Sequence, residues 1–147
     1  MTPIPFAPGA VRAFLITQPT ITAMVPADAI TTRELPDPLD GVCMTIRAPG
    51  HVGEDPMARR PMVQVDVWAP KIEILGGTTD PEELTWNVAG LAGELLHRAP
   101  PQEFRGSGWR ARWLEGPINF VDTKRGADSP LYRATIRVEM KMRAPRA

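Results

Sequence analysis

The most regular pattern in the chain is VQVDVWAP, Val63 to Pro70, in which Val63, Val65, Val67 and Ala69 alternate with Gln64, Asp66 and Trp68. A period of two predicts a strand with one apolar face. A longer alternation runs near the C-terminal end: Tyr132, Ala134, Ile136, Val138, Met140 and Met142 against Arg133, Thr135, Arg137, Glu139, Lys141 and Arg143. VCMTIRA, Val42 to Ala48, behaves in the same way, and WRARWL sets Trp109, Ala111 and Trp113 against Arg110 and Arg112. INFVD, after Pro117, predicts a separate, weaker strand, and Ile30 to Arg33 a short extended piece.

Helical periodicity appears twice. Val11, Phe14 and Leu15 share a face within residues 9–25, where Pro19 predicts a break. The stronger signal follows LGGTTD: Asp80 as N-cap, Pro81 at the first helical position and Glu83 to complete a capping box. Leu84, Val88, Leu91 and Leu95, with Ala92 beside them, form its apolar stripe. His97 and Arg98 suit the C-terminal end of the dipole, and Pro100-Pro101 stops the helix. Leu91 and Leu95 are expected against Val65, Val67, Ile136 and Val138, so that Leu91→Asp would abolish folding.

One apolar face per strand, with helices available to cover it, predicts an α+β fold in two layers. The sheet is mainly antiparallel, with the helices packed on one face. Neither a repeat nor a linker divides residues 1–147, so they are read as one domain. Two polar, breaker-rich stretches, Pro49–Pro61 and Thr123–Pro130, predict loops. A long loop in a small domain is often functional. Arg59, Arg60, Lys124 and Arg125 are therefore candidate partner contacts, expected to be mobile in a free subunit and ordered in an assembly.

Composition narrows the function. The 147 residues carry 17 basic and 17 acidic side chains, which argues against a general nucleic-acid binder. No apolar run approaches the roughly 20 residues of a bilayer span, so no membrane partner is expected. MTPIPFAPGAVR shows no basic stretch followed by an apolar one, and Cys43 is a lone cysteine. Folding in a reducing cytosol is the natural expectation.

Catalytic chemistry is sparse. His51 and His97, the only histidines, form no metal-ligand spacing. Cys43 has no base placed beside it and reads as a small strand filler. Gly76-Gly77 lacks the remainder of a phosphate-binding motif and reads as a turn. No catalytic residue, cofactor or metal is assigned.

The polar faces of the strands are more informative. Arg47, Arg110, Arg112, Arg133, Arg137, Lys141 and Arg143 dominate them, while most acids fall in loops or on the helix. A neutral chain with a basic face and acidic loops is suited to a head-to-tail contact between copies. Arg and Trp are enriched at interface cores. Asp66, Trp68, Arg110, Arg112, Arg133 and Arg137 are thus candidate interface residues. Asp66 is expected to pair with an arginine such as Arg110, Arg112 or Arg133, within the sheet or across a subunit contact. The plain alternative is a solvated sheet face.

The order of elements, the strand Gln64-Val65-Asp66-Val67-Trp68 and the closing strand opened by Leu131-Tyr132-Arg133 resemble the tail-terminator, or tail-completion, proteins of long-tailed bacteriophages. The similarity spans roughly residues 10–143; the Pro49–Pro61 loop and the Trp109–Pro130 region are longer than the family pattern. The resemblance implies a non-enzymatic virion protein at the neck end of the tail, assembled in the host cytoplasm. Its subunits form a ring, hexameric in the family, that caps the tail tube and ends tube polymerisation. The implied partners are further copies of itself, the tail-tube protein and a head-tail connector or neck protein. Genomic DNA would pass through the lumen without sequence-specific recognition. Another neck or tail-tube component, or a small ligand-binding or enzymatic domain, is the alternative.

Overall fold

A computed structural model describes residues 5–49 and 60–143. The chain forms α1 (Ala7–Leu15), α2 (Pro19–Thr22), a 3-10 turn (Ala27–Ala29), β1 (Ile30–Thr31), β2 (Cys43–Arg47), β3 (Met62–Ala69), α3 (Pro81–Arg98), β4 (Gln102–Phe104), β5 (Ser107–Asp122) and β6 (Leu131–Met142). The strands form one six-stranded sheet in the order β1-β2-β3-β6-β5-β4. Among the described residues only β1 and β2 run parallel; the other pairings are antiparallel. The expected α+β architecture, a mainly antiparallel sheet with helices on one face, is the one observed.

Pro19 does not merely interrupt the first helical segment. It occupies the first turn of α2, where its missing N–H costs nothing. Asp80 caps α3 by accepting from Glu82 N at 2.9 Å, with Pro81 next in line. No bond from Glu83 completes the expected box among the side-chain bonds of this helix end.

The core lies between the helices and the apolar sheet face. Val63, Val65 and Val67 of β3 and Ile136, Val138 and Met140 of β6 are fully buried there with Val11, Leu15, Val88, Ala92 and Leu96. Phe14 meets Trp109 edge-on, at 5.9 Å between ring centroids. The expected stripe on α3 is rotated. Val88, Ala89, Ala92, Gly93 and Leu96 face the sheet, whereas Leu84, Leu91 and Leu95 are half-buried at its flank. Small residues explain the rotation, because they let α3 approach closely. A Cβ on Gly93 would stand 2.7 Å from the Trp113 ring. Leu91 and Leu95 instead line a groove with Phe14 and Gln18.

Two further expectations are corrected. WRARWL and INFVD are not separate strands. They belong to one strand, β5, whose pairing with β6 shifts around Leu114 and again across Gly116-Pro117. This irregularity absorbs the extra residues while both halves stay on the sheet. β4 was not expected. It joins β5 through a two-residue turn, Arg105-Gly106, with positive φ at both positions (50° and 83°), as a twist-matched hairpin requires.

Candidate subunit interface on the open sheet face

The face away from the helices changes character along its length. At one end Trp68, Cys43 and Leu131 form a minor apolar cluster with Leu39, and Leu35 packs against it. The proline-rich segment after β1 thus covers this corner. Trp68 is only 8% exposed, and its Nε1 donates to Thr45 Oγ1 at 2.9 Å. The expectation that Trp68 stands open to a neighbouring subunit is overturned: its own chain buries it. Cys43 lies in the same cluster. Burial, and secondarily the charges of Asp40 and Asp28, push its thiol pKa up, the behaviour of an inert filler rather than a nucleophile.

In the middle of the face Asp66 is fully buried. It accepts from Thr135 Oγ1 of β6, from Gln64 Nε2 at 3.1 and 3.2 Å, and from Arg47 Nη2 of β2 at 3.4 Å. The register explains this set, because Asp66 stands opposite both Thr45 and Thr135 while Arg47 stands opposite Gln64. The partner of Asp66 is therefore Arg47, not Arg110, Arg112 or Arg133. The carboxylate is satisfied within the chain, as a buried charge must be.

The named arginines have other roles. Arg133 is half-buried between two rings, with Cζ 5.1 Å from the Trp68 ring centre and 4.5 Å from that of Phe120. Its Nε is buried and has no hydrogen-bond partner among the described residues. Arg137 bridges Glu115 at 3.2 Å and donates to Gln64 Oε1 at 3.2 Å. Arg112 pairs with Glu139 at 3.4 Å. Glu115 thus joins Glu139 and Asp66 as an acid on a face expected to be mainly basic. A cleft of about 320 Å³ lies here, lined by Gln64, Glu115, Ile118, Phe120, Arg133, Thr135 and Arg137.

Towards the other end the cations lose their partners. Arg110 stands directly opposite Lys141, and Arg143, one step further out, bonds through its backbone N to Gly108 O at 2.9 Å. All three are exposed, and none forms an ion pair among the described residues. Pro61 O accepts from Met140 N at 2.9 Å, which brings exposed Arg60 alongside. Met62, 38% exposed, sits among these charges opposite Glu139.

The loop candidates divide. Arg59, His51 and most of the Pro49–Pro61 loop lie outside the described residues. Lys124 is exposed, and Arg125 is tied down, donating to Pro36 O at 2.9 Å and pairing with Asp37 at 3.5 Å. Lys71 Nζ adds a bond to Asp128 O at 2.9 Å. The Thr123–Pro130 loop is thus held by polar ties that its lack of apolar anchors did not suggest. His97 does more than face the helix dipole: its Nδ1 accepts from Trp113 N, an edge group of β5, at 3.2 Å.

Sequence reasoning overlooked Thr45, Thr135, Glu115 and Phe120. The alternation already put Thr45 and Thr135 on the face of Asp66. It could not show that they stand beside it, because register is a tertiary property. Among the described residues no three His, Cys, Asp or Glu side chains gather as metal ligands, and no helix is long and apolar enough to cross a membrane. Comparison with protein-family models, curated proteins and solved structures finds no match to this chain.

Proposed function

We propose that this chain is a tail-terminator subunit of a long-tailed bacteriophage. Copies of it close into a ring, hexameric by the resemblance, that caps the tail tube, ends its polymerisation and offers a surface for head-tail joining. The protein resides in the virion at the neck end of the tail and is assembled in the host cytoplasm. Its work is done by surfaces rather than by bond-making side chains.

One observation carries this reading. The two sequences on which the resemblance rests, Gln64–Trp68 and the strand opened by Leu131-Tyr132-Arg133, lie side by side as β3 and β6, with Gln64 opposite Arg137 and Trp68 opposite Arg133. They are one structural feature rather than two scattered likenesses. The open face carries exposed charge without ion pairs among the described residues at one end, and exposed Ile118 and Phe120 towards the other, surfaces suited to assembly.

The test is the native mass of the purified protein, alone and with tail-tube protein. A ring gives a multiple of 16.1 kDa, and binding to tube ends raises it further. A protein that stays monomeric in both conditions is not a terminator. One that polymerises into tubes by itself is a tube component.

A further inference from the structure

Around Asp66 the arginines of the open face are matched with acids, except for Arg133. Arg47 pairs with Asp66 at 3.4 Å, Arg112 with Glu139 at 3.4 Å and Arg137 with Glu115 at 3.2 Å. Arg133 forms no ion pair among the described residues, so its charge is left over. Its Nε is buried and has no hydrogen-bond partner among them. A buried donor without an acceptor is costly, and more so on a cation.

The side chain is held in place nonetheless. Its Cζ lies 5.1 Å from the centre of the Trp68 ring and 4.5 Å from that of Phe120. Trp68 is fixed in turn by its bond to Thr45 Oγ1 at 2.9 Å. The rings attract the charge, but they do not supply the pair of oxygens that the planar N–H fork is shaped to meet.

The cleft beside Arg133 provides the rest of a site. Ile118 stands opposite Thr135 and Phe120 opposite Arg133, so both lie on the open face with it. They are 44% and 43% exposed, and with Arg133 they line the cleft of about 320 Å³. One cation left over suits a carboxylate better than a phosphate, which carries nearly two charges at neutral pH. Walls this exposed do not enclose a small molecule, whose sites bury most of the ligand. They suit a side chain presented by a larger surface, which supplies the remaining burial.

We infer that this cleft takes a glutamate or aspartate side chain, flanked by apolar residues, from a protein partner. The carboxylate accepts from the Arg133 fork, and the flanking apolar groups cover Ile118 and Phe120. Ring closure is not required: a monomeric protein that binds such an acid sinks the ring reading and leaves this inference standing.

The test uses the full chain, isotope-labelled for NMR, and follows the Arg133 Nε–H and Trp68 Nε1–H resonances. The probe is a capped leucine-glutamate-leucine tripeptide, with its glutamine counterpart as control, at constant ionic strength. The glutamate peptide is expected to shift both resonances saturably, and the glutamine peptide to bind at least about tenfold more weakly. Arg133→Gln is expected to lose binding of the glutamate peptide by a similar factor, read at Trp68. Phe120→Ala is expected to weaken it by about threefold. Thermal melting confirms that each variant folds. Arg133→Lys, which keeps the charge but not the fork, serves if the glutamine variant unfolds.

Equal affinity for the two peptides, or wild-type affinity in folded Arg133→Gln, overturns the inference. So does tighter binding of hexanoate than of the glutamate peptide, which assigns the cleft to a free acid. Tighter binding of inorganic phosphate overturns the choice of a carboxylate. If the wild type self-associates, the glutamate peptide disperses it and Arg133→Gln stays monomeric, the acid belongs to a second copy and the partner named here is wrong.

Discussion

The two faces of the sheet present the same alternation in sequence and solve opposite problems in space. The helix side buries aliphatic side chains against small residues of α3, and its stability comes from excluded water and close packing. The open side buries Asp66, Thr45 and Thr135 almost as completely, but holds them with directional bonds. The first face tolerates conservative change in shape, whereas the second depends on every partner being present. A polar face of an alternating strand is thus not necessarily a wet one. Here the part around Asp66 is an interior, while the part along β5 stays open.

That contrast can be broken most severely on the helix side. Leu96 is fully buried on α3, whereas Leu91 is half-buried at the flanking groove. Leu96→Ala is expected to cost about 2–5 kcal/mol and Leu96→Asp to abolish soluble folding. Leu91→Ala is expected to cost less than about 1.5 kcal/mol, since part of that side chain stays in water. Chemical denaturation of the purified variants checks the order. Equal costs would mean that α3 is rotated relative to the arrangement described here.

The open side should respond next most strongly. Asp66→Ala strands the Thr135 hydroxyl and the Gln64 amide in a buried site, and is expected to cost about 2–4 kcal/mol. Arg47→Ala removes a side chain that is 57% exposed, and is expected to cost less than about 1 kcal/mol. A double-mutant cycle between the two positions separates their coupling from the burial of Asp66 itself. A cost for Asp66→Ala as small as that for Arg47→Ala would show that the carboxylate is solvated.

The smallest effect has the opposite sign. Arg110→Glu turns a like-charge pair with Lys141 into an opposite-charge pair. The chain is expected to gain about 0.2–1 kcal/mol, read by chemical denaturation. A loss of stability instead would mean that the two side chains do not meet across the strands.

The legible part of this structure was the part encoded by period. Alternation gave both central strands, β3 and β6, with the correct faces, and Asp80-Pro81 gave the start of α3. Register was not legible, so the partner of Asp66 was assigned to the wrong arginines. Nor did hydrophobicity reveal that Ala89, Ala92 and Gly93, with Val88 and Leu96, mark the sheet-facing side of α3 while Leu84, Leu91 and Leu95 flank it; close approach selects small residues, and Gly93 beneath Trp113 is the instance. Pro117 suggested a break between strands where the chain makes an irregularity inside one strand. Of the candidate interface, the basic excess and the identity of Arg110 were readable. That Lys141 stands opposite Arg110, and that Arg133 lies between two rings, depended on the folded pairing.

The claim on which the account turns is that this protein ends the growth of a tail tube. Purified full-length protein is added to polymerising tail-tube protein, and tube lengths and ends are measured by electron microscopy. The expected result is a dose-dependent shift to short tubes, each bearing a ring of extra density at one end. Tubes of unchanged length with bare ends, in the presence of folded protein, would contradict the account.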